Sequence, residues 1–262
     1  MAEPQIRFDD GAVYERIMGV WSRLAGEIFL DWVAPAPGLR WVDVGCGNGA
    51  FTELIVQRCA PSGVDGVDPS EGQLAFARAR PASRVAKFTQ GDAMALPFPK
   101  ASFDVATMAL VIFFVLDPVK GVAEMARVLK RGGMAAAYAW DMHGGGFPWT
   151  IVQKEIAALG HKLVFPPSAD ASRIDAMQAL WQDAGFVDVE TRAITVQRTF
   201  DSVDEFLSIG LNTPSIGPIV KAMPSNDVES LKTRLRAQLR PDQDGRVTLS
   251  GKANAVKGRV PR

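Results

Sequence analysis

The sequence predicts an α/β fold built on a mostly parallel sheet with helices wound on both faces. Three observations carry this. From Trp41 to Trp140 short apolar runs alternate with amphipathic helical stretches, the pattern of successive βαβ units. A glycine-rich segment, Asp43-Val44-Gly45-Cys46-Gly47-Asn48-Gly49, lies between an apolar run and a helical pattern. The run 103–111 is apolar almost throughout, as a strand covered on both faces must be.

Taken in order, 13–33 is an amphipathic helical segment with Tyr14, Ile17, Met18, Trp21, Leu24 and Ile28 on its apolar face. Residues 40–46 read as a buried strand ending in glycines, 51–60 as a helix and 64–67 as a second strand. A second helix follows at 71–80 and a third strand at 85–89. The fourth strand is 103–111. The helix expected at 118–129 has Pro118 in its first turn and Arg127, Lys130 and Arg131 near its C-terminal end, where cations meet the negative end of the helix dipole. Gly132-Gly133 would break that helix before a fifth strand at 134–140. Beyond Gly144-Gly145-Gly146, helices are expected at 149–159, 173–184, 203–211 and 228–239, an alternating strand at 187–200, and a last strand at 246–258.

Bulk composition narrows the function. The 262 residues carry 29 basic and 29 acidic side chains, so no net field favours nucleic acid or an anionic surface. Two cysteines, Cys46 and Cys59, are too few for a disulfide framework. Two histidines, His143 and His161, show no ligand spacing with them, so no metal site is expected. The first residues have neither the basic start nor the apolar stretch of a secretory signal, and no apolar run approaches the roughly 20 residues of a membrane span. The expected location is cytoplasmic.

Gly45, Gly47 and Gly49 allow a tight turn and close backbone approach to a ligand, with a helix N-terminus aimed at the same point. Alone, Gly45-x-Gly47-x-x-Ala50 also suits a dinucleotide, and Asp68, ending the next strand, suits a ribose in either case. Asp43 either faces the amino end of an amino-acid-bearing ligand or fixes the glycine turn through backbone contacts.

The ordered series of motifs is more specific. WVDVGCGNGA at 41–50 resembles the first motif of class I S-adenosylmethionine-dependent methyltransferases. GVDPS at 66–70, QGDAMALPF at 90–98, FDVA at 103–106 and EMARVLKRGG at 124–133 resemble the motifs that follow it, in order. The resemblance covers about residues 13–140. It implies a Rossmann-like doubly wound sheet of seven strands with an antiparallel last strand, and S-adenosylmethionine as cofactor with S-adenosylhomocysteine as product. It also implies that Asp68 takes both ribose hydroxyls with Pro69 among the cofactor-binding residues, that Asp92 accepts from the adenine amino group and Ala93 N–H meets the ring, that Met94 and Leu74 either wall the adenine or simply pack, and that Gly45 and the strand end near Met108 hold the methionine part. YERIMGVWS at 14–22 looks like the N-terminal cap of ubiquinone- and menaquinone-biosynthesis methyltransferases, so Tyr14, Met18 and Trp21 either touch ligand or form a core stripe.

The expected organisation is a helical cap over 1–35 and a methyltransferase domain over 36–262, with a helical insertion at about 201–240. Phe113 and Phe114 stand where such relatives often carry two histidines, which puts a general base there in doubt and suggests an apolar rim. With Trp140, Phe147, Tyr14, Met18 and Trp21 they form the expected substrate pocket. His143, Tyr14 and Asp141 are the proton-acceptor candidates. The His143-Gly-Gly-Gly run lacks the G-x-S-x-G elbow that would make it an oxyanion loop. No Asp/Asn-Pro-Pro-aromatic tetrapeptide follows the fourth strand, so the expected partner is a small molecule rather than nucleic acid, handled by a monomer or homodimer. Two rival functions follow from the same residues: a nicotinamide-dependent oxidoreductase, and a non-catalytic S-adenosylmethionine-binding protein.

Overall fold

The computed structural model describes residues 15–262; Tyr14 lies outside them. A π-helical turn, Glu15–Gly19, leads into α1 (Val20–Val33). There follow β1 (Arg40–Val44), α2 (Ala50–Cys59), β2 (Gly63–Asp68), α3 (Glu71–Ala79), β3 (Ala86–Gln90), β4 (Phe103–Ala109), α4 (Pro118–Val128) and β5 (Leu129–Trp140). The second half contains α5 (Thr150–Ala158), α6 (Ile174–Asp183), β6 (Val187–Phe200), α7 (Val203–Gly210), α8 (Gly217–Ala222), α9 (Ser225–Gln238) and β7 (Val247–Arg259). The seven strands form one sheet in the order β3-β2-β1-β4-β5-β7-β6. β7 runs antiparallel to both neighbours, and the other six strands are parallel. This is the expected doubly wound fold.

Helices cover both faces because successive strand residues point to opposite sides. On β7 the Lys257 ammonium sits 4.6 Å over the Trp32 ring of α1, while a side chain at the next residue, Gly258, would meet Trp181 of α6 at 3.0 Å. Trp181 is fully buried and donates its indole N–H to the Ala135 carbonyl of β5 at 3.1 Å, which gives the buried donor a partner. On the α1 face, the Tyr138 ring of β5 packs at a tilt against Phe29, centroids 4.7 Å apart, and edge-on to Phe51 of α2 at 5.7 Å.

Three local expectations need correction. The helix before β5 ends at Val128, ahead of the glycines; Gly132-Gly133 lies inside β5, where the register with β4 slips between the pairs Phe103–Leu129 and Val105–Met134. β4 stops at Ala109 rather than residue 111, because Leu110 takes the left-handed conformation, φ 61°. The region 201–240 holds three helices instead of two, Pro218 opening the additional short one.

The helices between β6 and β7 are also part of the core. Phe206 of α7 is fully buried, 5.4 Å from Trp149 and 5.3 Å from Phe200. Trp149 donates its N–H to the sulfur of Met18 at 3.2 Å, and Trp21 lies 6.4 Å from Phe200. α1, the residue capping α5, β6 and α7 thus share one aromatic cluster, and truncating such a ring typically costs about 3–5 kcal/mol.

Candidate active site

The carboxyl ends of β1, β2 and β3 are stitched into one surface. The N–H groups of Gly45 and Cys46 both donate to the Val67 carbonyl, at 2.7 and 3.0 Å. Gly47 N–H donates to one oxygen of Asp68 and Ser70 N–H to the other, each at 2.9 Å. Gly91 N–H reaches the Asp68 carbonyl at 3.2 Å, and the Gln90 amide donates to the Pro69 carbonyl at 2.9 Å. The structure therefore brings Gly45, Gly47, Asp68, Pro69 and the segment 91–94 together. Within that last segment Asp92 is exposed and accepts from Met94 N–H at 2.8 Å, with Ala93 and Met94 half-buried.

Two glycines in the loop serve different needs. Gly47 has φ 51°, and a Cβ there would meet nothing within 4 Å, so its backbone faces open space beside Asp68. Gly45 has φ 73°, and a Cβ there would lie 2.5 Å from Val111, so the residues after β4 close directly onto the loop. Leu110 makes that closure by turning the chain out of β4, its N–H held by the Tyr138 carbonyl at 2.8 Å.

The residues present fit a ribose-bearing cofactor. A carboxylate offers about four lone-pair directions, and Asp68 uses one per oxygen on the protein, leaving two for vicinal hydroxyls. Partial burial raises its carboxyl above the usual range, and the Ser70 and Gly47 N–H groups pull it back.

Asp43 is enclosed by the protein's own side chains. It is fully buried and accepts from Thr52 Oγ1 at 2.7 Å and Thr107 Oγ1 at 3.4 Å, tying β1 to α2 and β4 rather than bracing the glycine turn through its backbone. Burial pushes its carboxyl up to about 7 despite those two hydroxyls. Burial likewise pushes the Cys46 thiol well up. Gly49 packs against α3, where a Cβ would meet that of Ala77 at 3.0 Å. Met108 is fully buried, its methyl facing Gly121 of α4. Leu74 is fully buried as well.

Of the expected substrate-pocket side chains, Met18, Trp21, Phe113 and Trp140 are buried, whereas Phe114 and Phe147 are half-buried, as are Val111 and Met142 beside them in sequence. The indole N–H groups of Trp21 and Trp140 have no hydrogen-bond partner, and neither does that of Trp41 in β1. Among the proton-acceptor candidates, Asp141 is buried and committed, accepting from Gly144 N–H at 2.9 Å and pairing with Lys252 at 3.1 Å. His143 is about half exposed and meets Asp170 at 3.1 Å. Sequence reasoning missed Leu110, Val111 and Arg80. Arg80 Nε holds the Asn48 carbonyl of the glycine loop at 2.7 Å while pairing with Glu53 at 2.8 Å. None carries a motif signal: a left-handed leucine and an arginine 32 residues away become visible only in three dimensions.

A seven-stranded sheet with one antiparallel strand, and a glycine loop locked to a carboxylate at the next strand end, define the Rossmann-like methyltransferase class. The family model described as a methyltransferase domain matches residues 42–137. A demethylmenaquinone methyltransferase of Staphylococcus aureus is 30% identical over 178 residues, covering 60% of this chain and 72% of that protein. The chain belongs to the class I S-adenosylmethionine-dependent methyltransferases: it is an enzyme, and S-adenosylmethionine is its cofactor. Among solved structures, a Bacillus halodurans methyltransferase superposes with TM-score 0.59 at 20% identity, covering 90% of this chain and 99% of that one. Haemonchus contortus phosphoethanolamine N-methyltransferase 2 superposes with TM-score 0.59 at 18% identity, covering 96% of this chain and 57% of that one. At these identities the likeness is one of fold. Among the described residues no helix is long and apolar enough to cross a membrane.

Proposed function

We propose that the enzyme methylates a small aromatic or otherwise apolar acceptor at the surface where the ends of β4 and β5 meet the glycine loop. The observation that carries this reading is the chain leaving β4: from Met108 to Leu116 it has no polar side chain, and it sets Val111 against Gly45 with half-buried Phe114 three residues further on. A charged acceptor placed there would be desolvated without a partner, which costs several kcal/mol. The Staphylococcus aureus relative, named for a quinone substrate, agrees with an apolar ring.

The cofactor supplies an activated methyl group on a sulfonium sulfur. Asp68 would hold the ribose hydroxyls. Asp92, Ala93 and Met94 would take the adenine, with Pro69 at its edge. Gly45 and Gly47 would lie along the methionine part, with backbone near Met108 behind it. The protein's own work is then to orient the acceptor in line and exclude water; orientation alone supplies up to about 7–11 kcal/mol of barrier reduction. A base is required only for a nucleophile that arrives protonated. His143 is the candidate whose position leaves that role open, since Asp141 is spent on Gly144 and Lys252. The segment 1–35 would act as a cap on this surface.

Methyl transfer from labelled cofactor to a naphthol and to phosphoethanolamine, compared side by side, tests the reading. Transfer to the naphthol, lost in Phe114→Asp while S-adenosylhomocysteine binding persists, is expected. Transfer to phosphoethanolamine alone would overturn it.

A further inference from the structure

The glycine loop is held from both ends of one helix. Asp68 stands just before α3 and Arg80 directly after it, and each puts its side chain on the loop. Asp68 accepts from Gly47 N–H at 2.9 Å, and Arg80 Nε donates to the Asn48 carbonyl at 2.7 Å. Between these two anchors Ala77 of α3 packs closely under Gly49. α3 is therefore a brace: the carboxylate proposed to take the ribose and the guanidinium at its far end grip the same short loop.

That loop needs outside anchors. Gly45, Gly47 and Gly49 all have positive φ, and a chain with glycine at alternate positions has many other conformations open to it. Because a peptide unit is planar and trans, fixing one carbonyl also fixes the following N–H on the opposite side. Arg80 on the Asn48 oxygen thus sets the Gly49 N–H, which donates to the Cys46 carbonyl at 2.9 Å. The guanidinium is itself held in place. Its Nη1 pairs with Glu53 of α2 at 2.8 Å, the two side chains being 22% and 19% exposed, and it lies at the C-terminal end of α3, where the helix dipole favours a cation. A planar donor fork serves the carbonyl and the carboxylate at once, which a single ammonium does less well.

We propose that Arg80 is a positioning residue for S-adenosylmethionine: it holds the glycine loop in its binding shape through the Asn48–Gly49 peptide, without touching the cofactor. This rests on the reading that the loop carries the methionine part. A loop ordered before binding spares the ligand the cost of ordering it, and a loop only partly in the competent shape lowers the apparent affinity by that fraction. Arg80→Met keeps the aliphatic stem and removes both bonds. Losing a charged donor from one loop carbonyl should weaken cofactor binding by about tenfold or more.

Two measurements on the full chain test this: amide hydrogen exchange across residues 45–50 in the free protein, and calorimetric affinity for S-adenosylhomocysteine. Wild type, Arg80→Met and Arg80→Lys are compared, with Arg58→Met as control because Arg58 forms a more exposed pair with Asp31, on α1. Faster exchange in the loop and about tenfold weaker binding in Arg80→Met, partial recovery of both in Arg80→Lys, and neither effect in Arg58→Met are expected. Unchanged loop exchange in Arg80→Met would overturn the proposal whatever the affinity. Faster exchange with unchanged affinity would show that the loop is not the seat of the cofactor, overturning that reading and the role of Arg80 with it. Should Arg80→Met fail to fold, Arg80→Lys carries the test, its smaller losses of loop protection and affinity being expected together and the absence of either counting against the proposal.

Discussion

Replacing Asp43 by Asn makes a quantitative demand on the structure. Burial raises the Asp43 carboxyl from 3.8 to about 7, with the Thr52 and Thr107 hydroxyls opposing the shift and Asp68 adding to it. The folded-state value lies above the unfolded one, so the native protein binds this proton more readily than the unfolded chain does. Stability from this group is therefore fully present below about pH 4, declines as pH rises toward 7, and is level above that. At about 1.4 kcal/mol per unit, a rise of roughly three units is worth about 4 kcal/mol between those limits. An Asn amide keeps the oxygen that accepts from Thr52, offers an N–H to Thr107 Oγ1, whose own proton is then left for the Val42 carbonyl, and never ionises. Asp43→Asn should thus match the wild type at low pH and become progressively more stable than it toward pH 8. Urea unfolding of both proteins at several pH values between 5 and 8 measures the difference. S-adenosylhomocysteine affinity should stay the same, because Asp43 is enclosed by β1, α2 and β4. A stability difference that is flat with pH would refute the buried-acid argument. Loss of cofactor affinity in the variant would show that the carboxylate reaches the ligand.

Asp68→Ala removes two charge-assisted bonds proposed for the ribose, each worth roughly 1.5–3 kcal/mol, so calorimetry should show S-adenosylhomocysteine binding weakened by about ten- to several-hundredfold. An unchanged dissociation constant would place the ribose elsewhere. Gly146→Ala puts a Cβ 2.3 Å from the Lys252 carbonyl. At about 1–3 kcal/mol for such overpacking, the melting temperature should fall by several degrees. Phe206→Ala opens the cluster shared with Trp149 and Phe200 and should cost about 3–5 kcal/mol in urea unfolding, whereas a change near zero would mean that α7 is only a peripheral cover. For the same reason, exchanging 201–240 for a flexible linker would strip the core.

The parallel sheet, the glycine loop after its first strand and the placement of Asp68 at the second strand end were legible in the chain because each depends on local pattern. Alternating runs, glycines that permit positive φ, and a polar residue after an apolar run are short-range facts that survive without knowledge of neighbours. Ordered motifs added the antiparallel last strand and the cofactor. Long-range packing decided the rest. Asp43 stands in the same motif as Gly45, yet Thr52 and Thr107 enclose it, and only the fold brings those hydroxyls from 9 and 64 residues away. Asp141 and His143 are near neighbours in one loop, but Lys252 across the β5–β7 ladder commits the first and leaves the second at the surface. Of the aromatic residues expected in the substrate pocket, Trp21, Phe113 and Trp140 are buried, Trp21 beside Phe200, whereas Phe114 and Phe147 are half-buried. Sequence by itself determined which residues are apolar and which glycines may turn; whether an apolar or acidic side chain meets a ligand or another side chain was decided by what the folded chain places opposite it.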